Sequence, residues 1–313
     1  MVAARSQGLR MNSSTALRVA VIVLNWRQAQ ATLACLRDLR DSGHDNLRVL
    51  LVDNGSGDGS VEELRAEQGA EVIALEANLG YCKAVNRGLA WAKAVGAEQV
   101  LLLNNDVRLP SGFLPPLVDV LAHAQGVAGV MPVVLGADGR VWSEGAEVRF
   151  GPNLVRLLRQ GKAPSPRTEG PKAVGFLPGA CALYRLADLE QVGWLDEEYF
   201  MYMEDAELGE RLRALGKQLV CLPWVRVVHH AGTSSGGRRS PLRKFLMGRN
   251  AVLFARRHGG LRLWGAVLLF EILLWPLSLV TGASPASAMA KARGIWRGLR
   301  NGAVGPADVE AIV

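Results

Sequence analysis

Glu204 and Asp205 are adjacent acids in GWLDEEYFMYMEDAELGERLRALG, residues 193–216, where an aromatic-rich approach gives way to a helical pattern. A carboxylate held there can take the proton of an attacking hydroxyl, so either acid qualifies as a general base. Leu208, Leu212 and Leu215 share one helical stripe, Glu207 and Arg211 form an i,i+4 pair expected on the exposed side, and Gly216 suits the residue after the last turn. The pair therefore falls at a helix N-terminus, where the backbone dipole favours an ionised carboxylate by roughly 0.3–1 kcal/mol. A cationic partner is not required. An acidic helix cap without catalytic consequence has the same local pattern.

Four further polar clusters could bind a phosphorylated ligand. Asp53, Asn54, Gly55 and Ser56 follow an apolar run; a short acid there can accept the imide N–H of a pyrimidine, and glycine lets backbone amides approach. Asn78, Gly80 and Asn86, in NLGYCKAVNRG, lead from a third such run into a helix and could contact a nucleoside. Asn104, Asn105 and Asp106 close a fourth run, and one carboxylate with substrate oxygens and water suffices for Mg²⁺ or Mn²⁺. His229 and His230, in VRVVHHAGTSS, could supply a neutral imidazole to such an ion, with Ser234 near a phosphate. Each cluster alone is also an ordinary turn or surface pair. Their order along one chain points to one site.

The elements that must position them are legible. Residues 19–24, 48–52, 71–75 and 99–103 are short, nearly continuous apolar runs, as in strands buried on both faces. Helical patterns at 29–41, 60–68 and 82–95 separate them, predicting an α/β fold with an open, doubly wound, mostly parallel sheet and helices on both faces. Ligands of such sheets sit outside the strand C-termini, where these clusters fall. Beyond residue 109 the pattern predicts a helix at 114–124, a strand at 127–135, a hairpin at 141–150, a strand-like run at 173–184 and two short strands at 218–222 and 225–228.

The chain has 313 residues, 49% of them apolar, enough for a full core. Its net charge of +7 suits a polyanionic ligand or an anionic surface. Nucleic acid is excluded as a partner, because aromatics are not interleaved with the cations and no reader motif occurs. Cys35, Cys82, Cys181 and Cys221 are widely spaced, giving neither a zinc site nor a disulfide framework and indicating a reducing compartment. Residues 1–17 are expected as a flexible tail. Residues 242–258 predict a basic amphipathic helix, and 263–280 are almost wholly apolar, interrupted by Glu271 and Pro276. Glu271 at a bilayer centre would cost roughly 2.5–3.5 kcal/mol, so a monotopic or re-entrant anchor is expected rather than a span. A helix buried in a dimer interface is the alternative.

The ordered motifs IVLNW, LLVDNGSGDGS, NLGYCKAVNRGL, LLLNNDV, FLPGACALYR, the acid-pair segment and HHAGTSS resemble those of family 2 inverting glycosyltransferases of the GT-A fold, rhamnosyltransferase-like branch. The resemblance implies a catalytic domain at 18–235, its nucleotide-binding half at 18–110 and its acceptor half at 111–235, followed by a membrane-associating segment at 236–313. It implies that Asn25, Asp53, Asn54, Gly55, Ser56, Asn78, Gly80, Asn86, Asn104 and Asn105 bind the nucleotide diphosphate sugar. It further implies Asp106 as the surviving acid of a DxD-like motif carrying a divalent cation, Mg²⁺ or Mn²⁺, with His229, or else His230, approaching the metal. Asp205 becomes the base, with Glu204 as the alternative. The implied acceptor is a lipid-linked glycan at the cytoplasmic face of a bacterial inner membrane. A non-catalytic, membrane-held nucleotide-sugar-binding protein is the competing reading, since the DxD motif has lost its first acid.

Overall fold

Four parallel strands form the frame in this computed structural model, which describes residues 17–230, 240–275 and 284–312. They are β1 (Val19–Asn25), β2 (Leu47–Asp53), β3 (Glu71–Ala74) and β4 (Gln99–Asn104), side by side in the order β3-β2-β1-β4. Their apolar runs lie between helices α1 (Ala29–Arg40), α2 (Ser60–Ala66) and α3 (Tyr81–Ala94), so both faces of the central strands are covered. Asn25 pairs in register with Asp53, and Leu24 with Asn104. Three strands thus end in polar residues on one sheet edge.

The second half extends the same sheet. The next elements are β5 (Val107–Arg108), α4 (Leu114–His123), β6 (Val127–Gly136), β7 (Val141–Ser143), β8 (Ala146–Val148), β9 (Val155–Leu157), β10 (Lys172–Val174) and β11 (Cys181–Arg185). Then come α5 (Leu186–Gln191), α6 (Glu204–Ala214) and β12 (Gln218–His229). β11 lies antiparallel between β4 and β6, β12 runs parallel to β6, and β10 closes the edge.

Three expectations change here. The hairpin expected at 141–150 does not form: β7 joins β6, while β8 pairs with β9, because Gly145 (φ +95°) turns the chain out of the main sheet between them. The run at 173–184 is two strands at separate places in the sheet, broken around Pro178 and Gly179. The two short strands at 218–228 are one, with an irregularity between Leu222 and Arg226, where Pro223 lacks a ladder donor.

The C-terminal segment also differs from expectation. Helix α7 (Pro241–His258) buries Phe245 to Ala255, including Arg249 at 3% exposure and Asn250 at 0%. Met247, Ala251, Val252 and Phe254 join the same apolar core as the strands, each such burial worth about 1.5–3 kcal/mol for a large side chain. The basic amphipathic helix expected to open a membrane-associating segment is built into the same core as the strands. Helix α8 (Leu261–Ala266) continues into a π-helical stretch, Val267–Leu273, and α9 (Pro285–Leu299) packs along α7. Gly294 permits that approach: a Cβ there would stand 2.0 Å from the Phe245 carbonyl oxygen. Helix α10 (Pro306–Glu310) ends the described chain.

No helix among the described residues is long and apolar enough to cross a membrane. Glu271, expected to burden a bilayer, is fully buried in protein, 2.8 Å from the Lys291 ammonium and accepting from the Asn153 backbone N–H at 2.7 Å. Residues 276–280 of the apolar run, and Ser234, lie outside the described residues.

Candidate active site

The polar sheet edge is a hydrogen-bonded network. Asn25 Nδ2 donates to Asp53 Oδ1 at 2.7 Å, Thr32 Oγ donates to Asn25 Oδ1 at 2.8 Å, and Asn105 Nδ2 donates to Thr32 Oγ at 2.9 Å. These four residues are buried, so the ends of β2, β1 and β4 are tied into one rigid ledge. Thr32 was not singled out from sequence; its hydroxyl sits on an otherwise apolar helix face, and only the fold shows what it meets.

Asp53 also accepts from the Ser56 hydroxyl at 2.5 Å and the Ser56 N–H at 3.0 Å. Three of about four acceptor positions are used, leaving one on Oδ2. Asn54 spans two loops: it donates to Asn78 Oδ1 at 3.0 Å and Gly80 O at 3.3 Å and accepts from Leu79 N at 2.9 Å. Gly55 (φ +70°) lies so close to the second loop that a Cβ would fall 2.3 Å from the Ala77 carbonyl carbon. Asn86 donates to the Leu195 carbonyl at 2.9 Å and Glu197 Oε1 at 3.1 Å and accepts from Leu195 N at 3.1 Å. Asn25, Asn54 and Asn86, expected to contact the donor, therefore have their amides engaged inside the protein: buried amides leave no hydrogen bond unmade. Asn78 and Asn104 stay partly exposed on the same edge.

The acid pair reaches this edge through one turn. Asn104 N donates to Ala180 O at 2.9 Å, and the neighbouring Gly179 N–H donates to Asp205. Tyr81, just after Gly80, donates its N–H to Phe200 O at 2.6 Å, and Tyr81, Leu102, Gly179, Glu204 and Asp205 wall a common crevice. The space left among them, about 10 Å³, is the lower limit for one water. Gly80 (φ +85°) is required there, because a Cβ would meet Phe200 O at 2.5 Å.

Tyr202 and Met203 both take left-handed φ, +73° and +68°, immediately before the acids. Two such non-glycine residues store strain that the surroundings must hold. Asn250 of α7 does so, donating from one amide to Met201 O at 2.9 Å and Tyr202 O at 2.8 Å. Arg249 donates to Glu198 O at 2.6 Å, and Arg257 pairs with Asp196 and Glu198. Glu207, expected on the exposed side, is 2% exposed, clamped by Arg211 and 3.2 Å from His258 of α7. Leu215, by contrast, is exposed.

Burial reverses the expectation drawn from the helix dipole. Loss of hydration pushes both carboxyls above their ordinary range, and for Glu204 the neighbouring Asp205 charge adds to it. Asp205 rises less, since the Ala206 and Gly179 amides and the Arg243 guanidinium oppose its burial. Arg243 also lies 4.8 Å over the Tyr202 ring. Asp205 thus has a cation that sequence reading did not assign, while Glu204 Oε2 is buried without a hydrogen-bond partner among the described residues. Both carboxyls are raised, Glu204 further than Asp205, so the two titrate as a pair rather than as independent acids.

Because Glu204's folded pKa is raised, its stabilising effect is complete below the unfolded value of about 4.3 and lost as pH rises through the folded one. Glu204→Gln is therefore expected to raise Tm at pH 8 by about 2–4 °C per kcal/mol recovered. The gain should vanish at pH 4. Thermal unfolding at both pH values checks this; an equal shift at both, or a lower Tm at pH 8, contradicts it.

On the other side of the turn, His229 Nε2 lies 3.0 Å from Asp106 Oδ1, both residues 7% exposed, with Trp142 edge-on to the imidazole at 4.7 Å. His230 is exposed, and its backbone N–H donates to Asp106 O at 2.9 Å. Among the described residues Asp106 Oδ1 accepts no well-aligned hydrogen bond, its contact with His229 Nε2 being one of proximity, and His229 Nδ1 has no partner. A 3.0 Å O···N edge is what two neighbouring ligands of an octahedral ion at about 2.1 Å present. No group of three His, Cys, Asp or Glu that could hold a metal occurs among the described residues, so donor oxygens and water must complete the shell.

A sequence model described as glycosyl transferase family 2 matches residues 19–193, more than half of the chain, and spans the network, the Asp106 cluster and the Gly179 turn. The chain belongs to glycosyl transferase family 2. This transferase is 31% identical, over 68% of its own length and 76% of that protein, to an N-acetylglucosaminyl-diphospho-decaprenol L-rhamnosyltransferase of Mycobacterium tuberculosis. It is 24% identical to the dTDP-rhamnosyl transferase RfbF of Shigella flexneri, covering 87% and 91% of the two chains. Its fold is similar to that of the mannosyltransferase PcManGT from Pyrobaculum calidifontis, solved with GDP-Man and Mn²⁺, at a TM-score of 0.59 and 15% identity over 93% of this chain and 89% of that one. S. aureus TarS 1–349, in complex with UDP, matches at 0.53 and 19% identity over 83% and 72%. The glycosyltransferase therefore has the GT-A-type sheet expected from its sequence.

Proposed function

We propose that this glycosyltransferase transfers a rhamnosyl group, with inversion, from a nucleotide diphosphate sugar to a lipid-linked sugar acceptor in bacterial cell-surface glycan synthesis. The carrying observation is that Asp205 and the Asn104–Asp106 cluster flank a single turn, Gly179–Ala180. The donor lies across the polar strand ends, its base against the remaining acceptor site of Asp53 and its nucleoside near Asn78. Asp205 takes the acceptor hydroxyl's proton as that oxygen bonds to the anomeric carbon from the face opposite the diphosphate, and the bond to the diphosphate oxygen breaks. Arg243 keeps Asp205 ionised, and Glu204 stays protonated so that two charges do not repel. A divalent cation held by Asp106 and His229 would neutralise the leaving diphosphate.

Rhamnose and the lipid carrier are supported by the names of the two relatives, and a metal by the 3.0 Å edge between Asp106 Oδ1 and His229 Nε2. The cytoplasmic membrane face follows from such an acceptor. The acid pair, with its cation and strained, clamped turn, speaks against a binding protein without chemistry. Incubation with dTDP-, UDP- and GDP-sugars, Mg²⁺ or Mn²⁺ and a short polyprenyl-diphosphate sugar, scored by product mass, tests the proposal. Rhamnosyl transfer from a dTDP donor is expected; transfer of another sugar only, or none, overturns it.

A further inference from the structure

Away from the acid pair, β8, β10, α8 and the second half of α6 enclose a cleft of about 600 Å³. Its walls carry Arg149, Arg213 and Arg262 alongside Glu147 and Glu210. Glu147 is paired with Arg156 and Glu210 with Arg213, so two cations are uncommitted. Among the described residues Arg149 Nε is buried without a hydrogen-bond partner, and Arg262 is exposed with no side-chain partner. A guanidinium in a concave, partly desolvated place is a phosphate-binding group.

The rim of this cleft is apolar. Leu261, Trp264, Leu268 and Ile272 are 96%, 36%, 52% and 38% exposed, and their i, i+3, i+7, i+11 spacing sets them on one helical face. The opposite face, with Ala266, Val267 and Glu271, is the buried one. Phe150, next to Arg149 and 43% exposed, stacks edge-on against Phe270 and lies over Gly265, joining the ridge to the cleft. An exposed apolar ridge beside unpaired arginines matches the two-part chemistry of a bilayer surface, apolar below and anionic at the headgroups.

We propose that this cleft binds the phosphate headgroup of an anionic membrane phospholipid, with the Leu261–Ile272 ridge lying in the headgroup–acyl boundary. This rests on the reading of the chain as a transferase with a lipid-linked acceptor. The acid-bearing helix α6 forms one wall of the cleft, so docking there orients the catalytic end relative to the membrane plane.

The test uses the full chain, R149Q/R262Q and L261S/L268S, each checked for an unchanged Tm, in vesicle co-sedimentation. Vesicles are phosphatidylcholine alone or phosphatidylcholine with phosphatidylglycerol. Wild type is expected to bind the phosphatidylglycerol vesicles, less so at high salt, and R149Q/R262Q to lose about tenfold or more of that affinity, at about 1 kcal/mol per arginine. L261S/L268S should lose binding to both vesicle types. Transfer to a water-soluble acceptor should be unchanged in both variants. Equal binding of wild type to both vesicle types, or unaltered binding by R149Q/R262Q, overturns the headgroup site. A raised KM for a short-chain diphosphate acceptor with normal vesicle binding would reassign the cleft to the acceptor. A dimer in lipid-free buffer that L261S/L268S dissociates would reassign the ridge to a second copy. Vesicle binding as expected with no transfer from any donor would instead refute the enzymatic reading and leave the headgroup site standing.

Discussion

Asp205→Asn is expected to lower kcat by about 10²–10⁴-fold, the usual contribution of a positioned general base, while donor affinity measured by calorimetry stays near the wild-type value. The amide keeps the side-chain shape and can still accept from the Ala206 N–H, which donates to Asp205 at 2.8 Å. What it loses is the ability to take a proton. Near-normal turnover in this variant would move the role to Glu204 or another acid. The wild-type rate should rise with pH through a limb displaced above the ordinary carboxylate value of about 4, because burial raises the Asp205 pKa and the protonated form cannot act as base. Arg243→Gln removes the cation opposing that shift, so its acid limb should move to still higher pH.

Asn250→Ala is expected to cost about 10²-fold in kcat with little change in the donor KM, although Asn250 touches no substrate. Its amide bonds to Met201 and Tyr202 hold the chain through two left-handed residues into Glu204 and Asp205. Without them two carbonyls lose their donor, and the strained turn can relax, displacing the base by a fraction of an ångström or more. A stability loss of about 1–3 kcal/mol should accompany this, from the hydrogen bonds alone. The two effects separate experimentally: kcat is measured well below the variant's Tm, on protein shown folded by circular dichroism. A variant that is less stable yet turns over normally would show that α7 supports the fold without positioning the base.

The asymmetry of the acid pair is what assigns these two residues different roles in the proposed mechanism, although they differ by one methylene. Glu204 lies buried with one oxygen unpartnered, whereas Asp205 faces amide donors and Arg243. In that mechanism the proton stays with Glu204, which avoids placing two like charges in a dry crevice.

Sequence alone determined the strand frame and the edge on which the chemistry gathers. Continuous apolar runs such as VAVIV and LLV can be satisfied only by burial on both faces, and polar residues at the ends of those runs must then emerge on one edge. The acid pair, Asp106 and His229 were legible as candidates for the same reason: they stand next to the apolar runs whose ends form that edge. Tertiary structure decided everything that depends on a distant partner. Asn25, Asn54 and Asn86 look the same in sequence whether their amides face a ligand or a partner in the chain 28, 26 or 109 residues away. Arg243, Arg249 and Arg257 share a helix pattern with membrane-surface segments, yet α7 packs against the turn that carries the acids, and those cations serve its carbonyls, carboxylates and rings. The sign of the acid pair's pKa shift was likewise beyond local reading, because the helix dipole is a property of a few residues while desolvation is set by everything packed around them.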